Sequence, residues 1–283
     1  MAWIFFALTS VFFNSIATIL QKSHATKKLN HSVISGSLYQ IVSGVTIFIF
    51  AVLTSQITLQ FTSRSLLLTA VALSIFVIGT WAYFKAVYLI NASVLTVILT
   101  LRAVVTTIIA VIFLGETIHI NQLVGMILIL SAILIMQNFK KIRLNLEGTL
   151  LGVLASFIFG IGNALERVIL KDMNLYLYLI PAFIVPGALL FIFQTSRLNG
   201  KKITLTKVTT GHILTVGTIS ALSGILSMYA IIQAPSAGHF AFVSQTRVIM
   251  VAIFAYIFLQ ERGNIKKRIF AAFLCTLGLL LLA

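Results

Sequence analysis

The chain has 283 residues, 60% of them hydrophobic and 9% charged, with a mean hydropathy of +1.11. So much apolar surface excludes a soluble globular protein and makes a lipid bilayer the solvent. The net charge of +15 brings nucleic acid to mind, but Lys and Arg gather in the cytoplasmic loops of membrane proteins, so no nucleic-acid partner is expected.

A membrane-spanning helix needs roughly 20 apolar residues. Ten such stretches follow one another: 2–21, 33–53, 66–89, 92–114, 121–138, 148–169, 175–194, 211–232, 236–259 and 267–283. They are continuously apolar and do not alternate, which favours helices over a transmembrane barrel. The first stretch has no basic segment before it and is as long as a full span, so it reads as a span and not as a cleaved leader. It carries Ser10, Asn14, Thr18 and Gln21 on one face. The second carries Ser32, Ser35, Tyr39, Ser43 and Thr46 on a face, with Gln40 beside it. The third ends with Trp81, Phe84, Lys85 and Tyr88 on one side. Small and hydroxyl residues let membrane helices approach closely, so these stripes read as packing or as the lining of a site.

The fourth stretch ends in Arg102-Ala103-Val104-Val105-Thr106-Thr107-Ile108-Ile109-Ala110-Val111-Ile112-Phe113-Leu114-Gly115-Glu116. At an offset of 145 it recurs in the ninth, with Arg247 on Arg102 and Glu261 on Glu116 among seven identities in fifteen positions. Apolar matches between membrane helices mean little, but a matched Arg and a matched Glu are hard to obtain by chance. The sixth stretch repeats the polar stripe of the first as Ser156, Gly160, Asn163 and Arg167; an offset of 149 pairs Asn14 with Asn163 and Lys22 with Lys171. The seventh holds Pro181 and Pro186, where a kink or break is expected. The eighth carries Ser220, Ser223 and Ser227.

These features predict an all-α membrane protein of ten transmembrane helices, built as two inverted five-helix repeats. The first repeat is 1–139 and the second 148–283, joined by a basic linker at 140–147. Five helices is an odd number, so the second unit enters the membrane in the opposite orientation, an arrangement that places a transport site near the midplane. Connections after stretches 1, 5, 7 and 9 hold fourteen Lys and Arg residues, against Arg64, Arg167 and Lys171 on the other side. The positive-inside rule then puts both termini outside the cell (inner) membrane.

Arg102 and Arg247 fall near the middle of their stretches, where a guanidinium costs at least ~2.5–3.5 kcal/mol. Glu116 lies fourteen residues past Arg102, about 21 Å along a helix, which is too far to bond. Glu261 and Arg247 have the same separation. Glu166 alone could serve one Arg, which leaves the other for water, carbonyls or a bound anion. Ser244 shares the face of Arg247 and Thr106 that of Arg102; Gln245 points away and ranks lower, and His239 reads as a structural histidine. Glu116 and Glu261 read as structural groups ordering the turn into the next helix, or else as coupling residues for a proton. No catalytic motif appears, no enzyme activity is expected and no metal or cofactor is implied; Cys275 is the only cysteine, which excludes an intrachain disulfide.

Phe113-Leu114-Gly115-Glu116 followed by Gln122-Leu123-Val124-Gly125, and Phe258-Leu259-Gln260-Glu261 in the second unit, resemble the EamA family of the drug/metabolite transporter superfamily. The resemblance implies an inverted-repeat carrier of small metabolites. Many members have Pro in the middle of helices 4 and 9, where this chain has Arg102 and Arg247. Related sugar-phosphate carriers hold an anionic group with basic residues on those two helices. The expectation is therefore a secondary carrier of a small organic anion or zwitterion, such as an amino acid, organic acid or phosphate ester. Its site would use Arg102, Arg247, Asn14, Asn163, Gln40, Ser244, Trp81 and Tyr229. A cationic drug exporter is disfavoured because no carboxylate is expected at the midplane; a non-transporting assembly protein is the alternative from another class.

Overall fold

The structure, a computed structural model, describes residues 2–25, 29–115, 120–136, 145–196, 207–235, 237–260 and 265–282. Among them the chain forms twelve helices and no strand. The first unit holds α1 (Ala2–Ala25), α2 (Leu29–Leu53), α3 (Ser63–Leu89), α4 (Ala92–Ile98), α5 (Leu101–Leu114) and α6 (Ile120–Met136). The second holds α7 (Leu146–Asp172), α8 (Leu175–Ser196), α9 (Lys207–Gln233), α10 (Ala237–Gln245), α11 (Arg247–Phe258) and α12 (Ile265–Leu282). Among the described residues seven helical segments are long and apolar enough to cross a membrane, with α4 and α5 together counting as one.

An offset of 145 carries every helix of the first unit onto its counterpart in the second to within two residues at each end. The packing obeys the same exchange. Helices α2 and α6 lie against their own counterparts, α8 and α12; α1 on α9 is repeated as α7 on α3, and α5 on α7 as α11 on α1.

Side-chain contacts give the helix directions. Lys85 near the end of α3 pairs with Glu147 at the start of α7 (2.5 Å), whereas Thr69 near the start of α3 reaches Met173 just past α7. These two helices are antiparallel. Gln21 and Lys22 of α1 meet Tyr83 and Val87 of α3, so those two helices end together. It follows that α7 runs opposite to α1, its own counterpart.

Close approach is built from small residues. A Cβ on Gly160 of α7 would lie 2.6 Å from Val105 Cβ and 2.8 Å from the Arg102 carbonyl oxygen, so only glycine lets α5 and α7 touch here. Gly187 of α8 meets the Ser37 carbonyl of α2 in the same way. Large apolar side chains such as Phe5, Leu53, Leu67, Phe113 and Phe258 point outward, as they do where lipid is the solvent.

Two expectations about breaks are corrected. Helix α8 runs through Pro181 and Pro186 without interruption. The breaks come instead in the fourth and ninth stretches, between Ile98 and Leu101 and at Thr246, where there is neither Gly nor Pro.

Candidate functional site

Each break has a local cause. Thr100 donates its hydroxyl to the Val97 carbonyl (2.6 Å), and its N–H goes to the same oxygen. Arg102 N–H then reaches only Leu99, and Ala103 N–H only Thr100. The ladder has tightened from four-residue to three-residue spacing. In the second unit Thr246 donates to the Val243 carbonyl (2.7 Å), with its N–H on that oxygen too, and Ser244 donates to Ala241 (2.8 Å). A hydroxyl that captures a carbonyl competes with the helix for it. Arg102 and Arg247 therefore stand in the first turns of new helices, α5 and α11, whose N-terminal N–H groups carry the positive end of the helix dipole.

Both arginines line one cavity of about 260 Å³. Around it stand Asn14, Gln21, Gln40, Tyr83, Asn163, Glu166 and Ser244, so α1, α2, α3, α7 and α10 all contribute a polar group. Arg247 is 6% exposed and donates from Nη1 to Asn14 Oδ1 (2.7 Å). Its Nε and Nη2, and Nε of Arg102, are buried without a hydrogen-bond partner among the described residues. Two guanidinium groups inside an apolar bundle thus hold donor capacity in reserve, which is costly unless something accepts from it.

Glu166 is the carboxylate of this cavity. It is 8% exposed and accepts from Tyr178 Oη (3.0 Å). It lies within electrostatic reach of Arg102, as does Arg247, but forms no ion pair with either arginine among the described residues. Glu166, the one acid that the sequence left to serve an arginine, thus lines the same cavity as both. With all three ionised, two positive charges face one negative, for a net +1 in the cavity. Tyr83 Oη donates to Gln21 Oε1 (2.9 Å) on the cavity wall.

Of the eight residues expected to line the site, Arg102, Arg247, Asn14, Asn163, Gln40 and Ser244 do so. Trp81 and Tyr229 do not. Trp81 packs beside α3's own Lys85, whose Nζ sits 5.3 Å from the ring centre, and Tyr229 shares a hydrogen bond with Tyr176 and packs on Phe6. Tyr229 thus satisfies its hydroxyl away from the cavity. Gln245 points away from the cavity as expected. It is fully buried, and both amide atoms lack a partner among the described residues. Thr106 bonds the Gly160 carbonyl (3.0 Å) and is a packing residue. Glu116, Glu261 and the side chain of His239 lie outside the described residues. The residues just before the two glutamates are described, and both are left-handed: Gly115 at φ 69° and Gln260 at φ 52°. Glu166, Gln21 and Tyr83 also line the wall; Gln21 and Glu166 follow from the polar faces of their helices, whereas Tyr83 lies off the face read for the third stretch.

Comparison with known proteins bears on this arrangement. Residues 1–137 and 146–283 each match the model of the EamA-like transporter family. A crystal structure at 11% sequence identity superposes with a TM-score of 0.68, covering 99% of this chain and 96% of that one, a likeness of fold alone. No curated protein matches the chain.

Proposed function

Since the chain belongs to the EamA-like transporter family, we propose that it is a secondary carrier that moves a small organic anion or zwitterion by alternating access around the Arg102–Arg247 cavity. The observation that carries this reading is the pair of cavity arginines, Arg247 buried and Arg102 half-buried, each with a buried donor that has no partner among the described residues, in a cavity of net positive charge. A carboxylate or phosphate entering between them accepts those donors and relieves the repulsion between the two cations. A guanidinium can give such a group two parallel N–H bonds, which Lys cannot copy. The N-terminal ends of α5 and α11 add further donors, as broken helices do in other carriers.

Glu166 extends the reading to zwitterions, since an ammonium group could take the carboxylate while the arginines hold the acid. A purely cationic substrate is disfavoured by two positive charges against one negative. The cavity size suits a metabolite of amino-acid, organic-acid or phosphate-ester dimensions.

The same reading sets ten spans as two inverted units, 1–139 and 148–283, joined by the basic linker 140–147. The opposed directions of α1 and α7 support it. The bias of basic loop residues supports termini outside the inner membrane. Labelling of a cysteine at position 141 by an impermeant reagent added from outside would refute that orientation.

The substrate reading is tested with an anion, its amide, and purified protein in liposomes. Arg247→Lys and Arg102→Lys weaken anion affinity by the loss of a charge-assisted bond, ~1.5–3 kcal/mol, or about 10- to 150-fold. Gln at either position weakens it further, and more for the anion than for the amide. Wild-type anion affinity in both Gln variants sinks the reading. Stabilisation of the protein by no member of a metabolite panel would favour a non-transporting role.

A further inference from the structure

Lys22 is a buried lysine outside the cavity. It donates from Nζ to the carbonyls of Val87 (2.7 Å), Tyr88 (3.4 Å) and Ile90 (2.8 Å), at the C-terminal end of α3. In the second unit Arg167 donates from Nη1 to Ile231 (3.3 Å) and Ala234 (3.2 Å), and from Nη2 to Pro235 (2.9 Å), at the C-terminal end of α9. The last carbonyls of a helix have no partner within it, and a cation is the group best suited to them.

The two arrangements are copies. Lys22 and Arg167 are 145 residues apart, and so are Ile90 and Pro235, which each of them bonds. The sequence pairings of Lys22 with Lys171 and of Asn14 with Asn163 at an offset of 149 are both corrected by this match, which sets Asn14 on Phe159. One residue earlier stand Gln21 and Glu166, both on the cavity wall. Just beyond the capped carbonyls start α4 and α10, the half-helices that end at the breaks before Arg102 and Arg247. Each cation thus ties a cavity helix to the corner from which a site arginine is hung.

The corners lie at opposite ends of the molecule. Lys22 meets the end of α3, which abuts the start of α7 at Glu147 and Gly148. Arg167 is twenty residues further along α7, about 30 Å away.

We propose that Lys22 and Arg167 are positioning residues that latch opposite ends of the carrier, so that opening either end releases one corner and leaves the other tied. Water replaces the cation on the carbonyls of the opened corner, so neither state leaves them unbonded. The latched corner holds its half-helix, and through it the arginine, in place. This rests on the alternating-access reading but not on the substrate.

The test uses sided labelling by an impermeant thiol reagent in vesicles of both orientations, in a Cys275→Ala background and without substrate. Thr18→Cys reports one turn from Lys22, and Ser227→Cys one turn from Ile231. Lys22→Met raises labelling of the Thr18→Cys probe from the Lys22 end about tenfold, a bias of ~1.4 kcal/mol, and leaves the Ser227→Cys probe at or below its original rate. Arg167→Met does the reverse. Lys22→Arg and Arg167→Lys keep the donors and hold wild-type rates. Should a Met variant fail to fold, Lys22→Gln and Arg167→Gln shift the same probes in the same directions by a smaller factor. Labelling that rises equally at both ends, or at neither in folded protein, overturns the latch. Unsided labelling together with lost anion affinity in the arginine variants sinks the latch alone. Sided labelling in a protein that binds no anion keeps the latch and sinks the substrate reading.

Discussion

Arg247 rests on Asn14, whose repeat position in the second unit is Phe159. Phe159 offers Arg102 no acceptor. Similar contrasts run around the cavity: Gln21 answers to Glu166, Gln40 to Val185, and Tyr83 to Met228. The backbone differs far less, for the helices coincide to within two residues and both broken spans stop at a threonine that donates to the carbonyl three residues back. The contrast follows from what each feature must satisfy. Helix lengths and breaks are held by packing between units, where a change on one side has to be matched on the other. A cavity wall faces a space, so its two sides can diverge independently and become lopsided toward an asymmetric substrate.

The largest effect expected from breaking this comparison is at Asn14. Asn14→Leu removes the acceptor from a buried guanidinium and lowers stability by ~1.5–3 kcal/mol, read as a lower melting temperature in detergent. Phe159→Asn offers Arg102 an acceptor but gives up the ring's packing on Phe76 and Tyr83, so it should lower the melting temperature less than Phe159→Ala does; an equal fall would show that the new carboxamide does not reach Arg102.

Gly160→Ala comes next, at ~1–3 kcal/mol of overpacking, because its Cβ meets the backbone of α5. Its repeat position, Ser15, already carries a side chain bonded to the Val11 carbonyl, so Ser15→Ala should cost clearly less. Equal losses at the two positions would mean that α1–α11 and α7–α5 are equally tight.

Gln245→Leu acts in the other direction. It removes two buried polar atoms without partners and raises stability by ~1–2 kcal/mol, whereas Thr100→Val at the matching position gives up a made bond and lowers it. No gain in Gln245→Leu would mean that the carboxamide finds partners in another conformation.

The smallest effect is at the helix ends. Gln260 sits at φ 52°, where Gly115 sits in the first unit. Gln260→Gly should gain about 0.5–1 kcal/mol by removing left-handed strain from a side chain, and Gly115→Ala should lose about as much. A stability match between Gln260→Gly and wild type would show that the turn into α12 tolerates the side chain without strain.

Much of the fold was legible because a bilayer demands long apolar runs, and because a charge repeated 145 residues on is informative where apolar letters are not. The breaks were not legible. Prolines draw attention, yet Pro181 and Pro186 sit in an unbroken helix, while the real breaks rest on the hydroxyls of Thr100 and Thr246, residues common within helices. Asn14 and Arg247 could be read as neighbours of one cavity, though not as bonded to each other, since 233 residues separate them. Trp81 and Tyr229 were misplaced because a helical face fixes which way a side chain leaves the backbone and not which helix it meets. Glu166 was legible as the one acid able to serve an arginine, but not as a wall residue, because one helix does not show how far the packing of the units carries it toward Arg102.

The shortness of α4 has a consequence for how the chain is made. The helix is seven residues long, and all but one of them are buried, chiefly against α7 and α11. Both of these partners are synthesised later. When it leaves the ribosome, the segment just ahead of Arg102 has only Ala82, Ala86 and Val87 of α3 and Ile19 of α1 to pack upon, and its packing is complete only once the chain has reached at least residue 258. A first unit expressed alone would insert its helices and leave this segment without most of its packing partners, so the arginine is set in place only when translation is nearly complete.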